Sequence, residues 1–519
     1  MNTVNFRKSS ESYWIASTAK KDYPPLKEDI KVDIAIVGGG MVGVTTAYQL
    51  RNEELNIAIL EADNLLSSTT AHTTGKLTSQ HSLIYDKIKS QRGKELARQY
   101  ADANEAAIKE VKRIADEHGI DCDYLSESAY IYTEDDKYIG KIKDEVEAAS
   151  SLGIKASYIE DIPFDIAIKA GVKFENQAQF HPRKFLLGLA DIIDNDGVAI
   201  YEDSRVVNME EDEGDYLLMT SQGKKVRARK VIIASHYPFY NKPSMYYARI
   251  YVERSYILAI KAKEKYPSGM YINAEEPSRS LRNQDTKDGE LILVVGETHK
   301  SGQGEDTSIH YENLLNFASQ LFTIEDVPYR WSTQDCMTVD GVPYIGYYTD
   351  DSPNLYIATG FQKWGMTNSI VSAMILKDLI VEGESPWQDV YNPSRKTITA
   401  SAKELISQGV NVAGQLIDGK LSKLPDELDL ELGEAQVYKS DGERIGVFKD
   451  DEGKLHFVDT TCTHMGCELN WNSAEKSWDC PCHGSRFTYG GDIIQGPAVR
   501  PLNFGDDVNT LKKLIKEDF

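Results

Sequence analysis

Lys31–Glu61 reads KVDIAIVGGGMVGVTTAYQLRNEELNIAILE, and the order of its parts decides the fold of the N-terminal region. Val32–Val37 is a short apolar run, as expected of a parallel strand buried on both faces. Gly38-x-Gly40-x-x-Gly43 follows at once, Val42–Leu50 then has helical spacing, and Ile57–Leu60 is a second apolar strand ending in Glu61. Together these make a βαβ unit suited to a dinucleotide. The glycines permit a tight turn, let backbone approach a pyrophosphate, and pack helix against strand. The helix N-terminus faces the phosphates, and the acid accepts from a ribose hydroxyl. A glycine triplet alone would be weak; strand, loop, helix, strand and acid in register carry the reading.

At the other end stand CTHMGC (Cys462–Cys467) and CPCHGS (Cys480–Ser485), which together read C-x-H, 15 residues, then C-x-x-H. Four ligands of this kind also suit a zinc site, which leaves two further cysteines, Cys467 and Cys482, unexplained. The pattern resembles the Rieske [2Fe–2S] domain over about the last 95 residues. The resemblance implies that Cys462 and Cys480 hold one iron and His464 and His483 the other, while Cys467 and Cys482 pair to tie the two loops. Neutral imidazoles in place of thiolates raise the potential, to roughly −150 to +300 mV. Gly496-Pro497-Ala498 resembles the proline loop that covers such clusters, and Ser485 matches a serine that donates to a bridging sulfide. Two residues on, quinol-oxidising members carry a tyrosine where this chain has Phe487, which cannot donate, so a potential below theirs is expected.

The chain has 519 residues, enough for two to four domains, with 41% hydrophobic and 27% charged residues, as in an ordinary globular protein. A net charge of −23 argues against nucleic acid and anionic membrane surfaces as partners. No apolar secretory segment opens the chain and no run approaches the roughly 18 apolar residues of a membrane span, so the cytoplasm is expected. Of six cysteines, Cys122 and Cys336 lie outside the C-terminal loops and read as reduced packing residues. A Cys467–Cys482 disulfide would be unusual in a reducing compartment.

A one-electron cluster on the same chain bears on which dinucleotide is bound. Nicotinamides deliver two electrons together, whereas a flavin takes two and releases them singly, so FAD is expected. No second glycine fingerprint is present. Over about residues 12–385 the chain resembles FAD oxidoreductases of the D-amino-acid oxidase and sarcosine/dimethylglycine dehydrogenase type. SSTTAHTTGKLT (Ser67–Thr78) is similar to the family's loop beneath the flavin, EDSRV (Glu202–Val206) to the strand whose valine backbone meets adenine, and VIIAS (Val231–Ser235) to the strand closing the nucleotide-binding core. Asp340–Pro343 and LYIATGFQKWGMT (Leu355–Thr367) resemble the return to the flavin. The resemblance implies FAD contacts from Gly38, Gly40, Gly43, Glu61, Thr70, His72, Thr73, Thr74, Val206, Gly360, Gly365, Met366 and Thr367.

His72 lies in a run resembling the S-T-x-H of relatives in which a histidine is bonded to the flavin, but one extra residue intervenes; a non-covalent or structural imidazole is the simpler reading. The lysine that sarcosine oxidases place after the last glycine is absent, with Met366, Thr367 and Asn368 in its place. Arg254, Arg282, His299, Lys300 and Lys363 lie in segments that could face the flavin, but each reads more simply as a solvated charge. No catalytic residue is assigned.

The expected fold class is an α/β FAD-binding (Rossmann-like) domain with a mixed-sheet substrate domain, followed by a small all-β Rieske domain. The flavoprotein part spans 1–385, with nucleotide-binding parts at about 30–85, 165–240 and 335–385 and a substrate cap at about 86–164 and 241–334. A connector at 386–425, with a helical stretch near Ala400–Leu416, leads to the last domain at 426–519. Residues 94–117 have helical spacing, and Val508–Lys516 is a helix-like tail. The implied function is oxidation of an amine, amino acid or related C–N substrate by FAD, with electrons leaving singly through the cluster to an external acceptor protein. The alternatives are reversed flow from an outside donor, or a non-catalytic relay or sensor.

Overall fold

The computed structural model describes residues 10–240, 244–304, 306–395, 422–423, 430–440 and 443–505. The helical stretch expected near Ala400–Leu416, most of the 386–425 connector and the helix-like tail expected at Val508–Lys516 lie outside these residues. The chain divides into two units, one drawn from 1–238, 255–298 and 310–400, the other from 239–254, 299–309 and 401–519.

The first unit holds an eight-stranded sheet in the order 344–347, 355–359, 225–233, 30–37, 57–60, 199–201, with 215–220 antiparallel to 225–233 and 206–212 antiparallel to 215–220. Ile30–Val37 runs parallel to both Ile57–Leu60 and Lys225–Ile233. Ile34, Ala35 and Ile36 are fully buried, as in a strand covered on both faces. The helix Met41–Leu50 is buried on all sides except at Gln49, packing against the helices Pro182–Asn195 and Gly365–Val381. Lys94–His118 instead shows one buried stripe (Ala97, Ala101, Ile108, Val111, Ala115) and ends where Gly119 turns left-handed at φ 61°.

A nine-stranded sheet forms the second layer, in the order 324–338, 250–262, 289–300, 279–286, 270–273, 125–133, 170–179, 76–77, with 156–159 beside 170–179. This corrects the expected boundaries. Ala170–Gln179 and Lys76–Leu77, expected in the nucleotide-binding part, belong to this sheet, because 170–179 pairs antiparallel with Leu125–Thr133. The ends of two of its strands, Ile250–Ala262 and Gly289–Lys300, fall in the second unit.

In the second unit a five-stranded sheet (422–423, 435–440, 443–449, 455–459, 504–505) accompanies a four-stranded one (470–472, 477–479, 486–488, 493–495). Strands were expected at Ala435–Val437, Ile445–Phe448 and Leu455–Val458; all three form and extend further, and pair antiparallel with one another. Among the described residues no helix is long and apolar enough to cross a membrane.

Candidate functional site

The glycine loop is glycine by necessity. Gly38 has φ 114°, and a Cβ there would lie 2.5 Å from the Ala234 carbonyl oxygen; a Cβ on Gly43 would lie 2.0 Å from the Gly38 oxygen. Gly40 caps the Met41–Leu50 helix, whose first N–H, from Met41, donates to the Thr70 hydroxyl at 3.1 Å. Glu61 follows the second strand. Its carboxylate accepts from Gly39 N–H at 2.6 Å and Asp63 N–H at 3.0 Å, and burial pushes its pKa up. Val206 is buried and opens the strand Val206–Asp212, and Ser204 N–H donates to the Glu61 carbonyl at 2.8 Å.

The loop after Ser67 is held by its carbonyls. Trp331 Nε1 donates to His72 O at 2.9 Å, Trp14 Nε1 to Thr73 O at 2.6 Å, and Arg282 Nη1 to Thr74 O and Gly75 O, both at 3.0 Å. The His72 ring meets the Ser68 carbonyl through Nδ1 at 2.8 Å. Thr367 ties this loop to the return segment: its hydroxyl donates to Thr78 O at 2.7 Å and accepts from Thr78 N–H at 3.0 Å. Gly360 has φ 74° and packs on Thr338, while a Cβ on Gly365 would meet open space at the start of its helix, as a residue lining a cofactor cradle requires. Met366 beside it is 6% exposed. Two runs nearly 300 residues apart in sequence, 67–78 and 360–367, thus meet, and the donor-rich loop and helix N-termini suit a dinucleotide.

The reading of Arg254 and Arg282 as solvated charges is wrong: both are fully buried. Arg282 is spent on the loop carbonyls and on Gln284 Oε1. Arg254 lies 3.7 Å from Asp479 in the second unit. Lys363 donates to Thr298 Oγ1 at 2.6 Å, and His299 Nδ1 contacts Lys300 O at 2.8 Å. Lys76, overlooked in the sequence, donates to Ser280 Oγ at 2.6 Å, and burial of its ammonium together with the nearby Arg282 guanidinium pulls its pKa down to about 7. Trp14 and Trp331 also escaped sequence reading, because single tryptophans carry no spacing signal.

In the second unit the two cysteine–histidine loops have one architecture. Cys462 O accepts from Gly466 N–H at 2.9 Å and Cys480 O from Gly484 N–H at 3.0 Å; Cys462 N–H donates to Cys467 O and Cys480 N–H to Ser485 O, both at 2.8 Å. Gly466 and Gly484 are left-handed, at φ 79° and 73°. The His464 and His483 rings lie 5.1 Å apart at 87°. Burial lowers both histidine pKa values to about 4, favouring the neutral, metal-ligating form. His464 Nδ1 is buried without a hydrogen-bond partner among the described residues, as an iron-ligating nitrogen should be. Cys462 and Cys480 are buried, and the hydrogen bond they share draws the first thiol down and pushes the second up. Cys467 and Cys482 are joined, Sγ to Sγ 2.23 Å. Ser485 Oγ accepts from Ala498 N–H at 3.0 Å, which ties the Gly496–Ala498 loop to the second ligand loop, and Phe487 is fully buried. The donor set fits a two-thiolate, two-imidazole cluster.

Comparison with known proteins agrees. Residues 33–379 match the family of FAD dependent oxidoreductases, and residues 421–512 match the Rieske [2Fe-2S] domain. The chain is 43% identical over 96% of its length, and 97% of the relative's, to YhfW of Bacillus subtilis, a protein named for a Rieske 2Fe-2S centre. It is 23% identical to the gamma-glutamylputrescine oxidoreductase of Escherichia coli, over 74% of this chain and 91% of that one. The fold of glycine oxidase from Geobacillus kaustophilus superposes with a TM-score of 0.60 at 18% identity, covering 70% of this chain and 99% of that one. The chain therefore belongs to the FAD-dependent oxidoreductases of the D-amino-acid oxidase type and carries a Rieske [2Fe–2S] domain at its C-terminal end.

Proposed function

We propose that this protein dehydrogenates an amine or amino acid and passes the electrons, one at a time, through its own iron–sulfur domain to an external carrier protein. The observation that carries this reading is the pairing on one chain of a two-electron flavin domain with a one-electron cluster domain. Fusion keeps the two at high effective concentration, which is of use only if they exchange electrons. The amine class is supported by the likeness to an enzyme named for gamma-glutamylputrescine.

When bound, FAD takes two electrons from the substrate and the cluster relays them singly. Gly38, Gly40 and Gly43 receive the pyrophosphate, Glu61 the ribose and Val206 the adenine. Thr70, His72, Thr73 and Thr74 form the loop under the flavin, with its carbonyls turned away by Trp14, Trp331 and Arg282. Gly360, Gly365, Met366 and Thr367 close the other side. Lys76, which donates to Ser280 Oγ and lies in the run beneath the flavin, is the basic group offered to the carboxylate of an amino-acid substrate, while Arg282 holds the loop carbonyls beside it. Cys462 and Cys480 hold one iron, His464 and His483 the other, and the Cys467–Cys482 link keeps the loops together.

The test is an anaerobic titration of the holoprotein with amines and amino acids. Substrate-dependent flavin bleaching supports the reading; reduction of the flavin only through the cluster, by a reduced carrier, would favour the reverse flow.

A further inference from the structure

The residue preceding the ligand Cys480 is Asp479, whose side chain is only 1% exposed. Its carboxylate accepts from Arg486 Nε at 3.0 Å, Asn472 Nδ2 at 2.9 Å and Ser477 Oγ at 2.8 Å, all within the iron–sulfur domain. A fourth partner comes from far away in the chain. Arg254, near the start of the strand Ile250–Ala262, brings Nε to 3.7 Å of Asp479 Oδ2, with its side chain also 1% exposed. Two guanidiniums thus flank one buried carboxylate, one residue before Cys480.

The neighbours of Arg254 point to the same loop. Tyr247 sets its ring edge-on to His483, with centroids 6.1 Å apart at 90°. Gly302, just past the end of the strand Gly289–Lys300, lies so close to the Cys480–Pro481 peptide that a Cβ would fall 2.6 Å from Pro481 N, and Asn470 Nδ2 donates to its carbonyl at 2.7 Å. Tyr247, Arg254 and Gly302 thus meet the second ligand loop and its Asp479 neighbour, although all three lie within the flavoprotein region of the sequence.

We propose that Arg254 is a positioning residue for the iron–sulfur centre: through Asp479 it anchors the Cys480–His483 loop to the flavoprotein segments, and its charge raises the cluster's reduction potential. The inference rests on Cys480 and His483 being cluster ligands. Adding an electron makes the cluster more negative, and a buried cation nearby favours that form because the low-dielectric surroundings screen it weakly. The Asp479 carboxylate acts in the opposite sense.

The test uses the full-length holoprotein and EPR-monitored redox titration. A Rieske-type signal in the wild-type protein first establishes the ligand reading; if it is missing, that reading fails before this one is tried. Arg254→Met, which keeps volume and removes charge, should shift the cluster potential negative and leave the flavin potential unchanged. Arg254→Lys should restore most of the shift. Asp479→Asn, near-isosteric and keeping one acceptor oxygen for Arg486 and Ser477, removes the negative charge and should shift the potential positive, and it supplies the test if Arg254→Met fails to fold. Full cluster occupancy with wild-type potentials in Arg254→Met, or a negative shift in Asp479→Asn, would overturn the proposal.

Discussion

Replacing Gly43 by alanine should cripple flavin binding, by an amount the structure bounds. The new Cβ would lie 2.0 Å from the Gly38 oxygen and 3.3 Å from Ile36 Cγ2. A relaxed carbon–oxygen contact needs roughly 3.2 Å or more, so loop and helix must separate by about 1.2 Å. The helix cannot simply retreat: Met41, Val44, Ala47 and Tyr48 are buried against neighbouring helices and the sheet, and overpacking of this kind costs about 1–3 kcal/mol. A shift of that size also stretches a pyrophosphate hydrogen bond of about 2.9 Å beyond its useful range. Losing one bond to a charged group costs about 1.5–3 kcal/mol, or roughly 10- to 150-fold in Kd. The assay is FAD titration of deflavinated protein by flavin fluorescence, with melting temperature alongside. Gly140→Ala is the control. It lies in the helix Ile139–Ser151 with nothing near its Cβ, and should stabilise by up to about 1 kcal/mol without touching FAD affinity. Affinity within threefold of wild type in Gly43→Ala would refute the argument.

Further outcomes are expected elsewhere. Glu145 is buried and accepts from Tyr85 and Asp86 N–H, yet burial raises its pKa to about 7. A carboxyl whose folded pKa lies above its unfolded value loses stabilisation as pH rises, here between about 4.5 and 7, by up to about 3 kcal/mol. Glu145→Gln should therefore gain melting temperature relative to wild type from pH 5 to 8, and a constant difference across that range would contradict this. Phe487→Tyr should raise the cluster potential if its hydroxyl reaches a ligand sulfur: a differential hydrogen bond of about 1 kcal/mol corresponds to about 40 mV for one electron. An unchanged or lower potential with the cluster intact would count against the role given to this position. Lys76→Met should raise KM for a carboxylate-bearing substrate at least tenfold while leaving the flavin spectrum intact; an unchanged KM would remove Lys76 from the substrate site.

Much of this architecture was legible because its signals are local. The glycine loop, with a strand before it and Glu61 after it, and the twin cysteine–histidine loops each occupy one short run whose spacing is set by backbone geometry. The sheet to which Ala170–Gln179 belongs was not legible, since a short run such as Val172–Glu175 alternates as a strand of either sheet would, and only its partner, Leu125–Thr133, decides. The buried arginines were misread for a related reason. Whether a guanidinium is solvated depends on what it meets, and Arg254 meets a carboxylate 225 positions away while Arg282 meets carbonyls more than 200 positions back. Trp14, Trp331, Tyr247 and Gly302 act singly, with no repeat or spacing to mark them.

The most direct measurement of the central claim is an anaerobic stopped-flow and freeze-quench experiment on the holoprotein with a panel of amines and amino acids, following flavin absorbance and the reduced-cluster EPR signal together. Flavin bleaching by one substrate, followed by growth of the cluster signal at a rate independent of protein concentration, is the result expected if electrons run from substrate through FAD to the fused cluster. Dithionite reduction of both centres with no response to any substrate, or cluster reduction that depends on protein concentration, would contradict it.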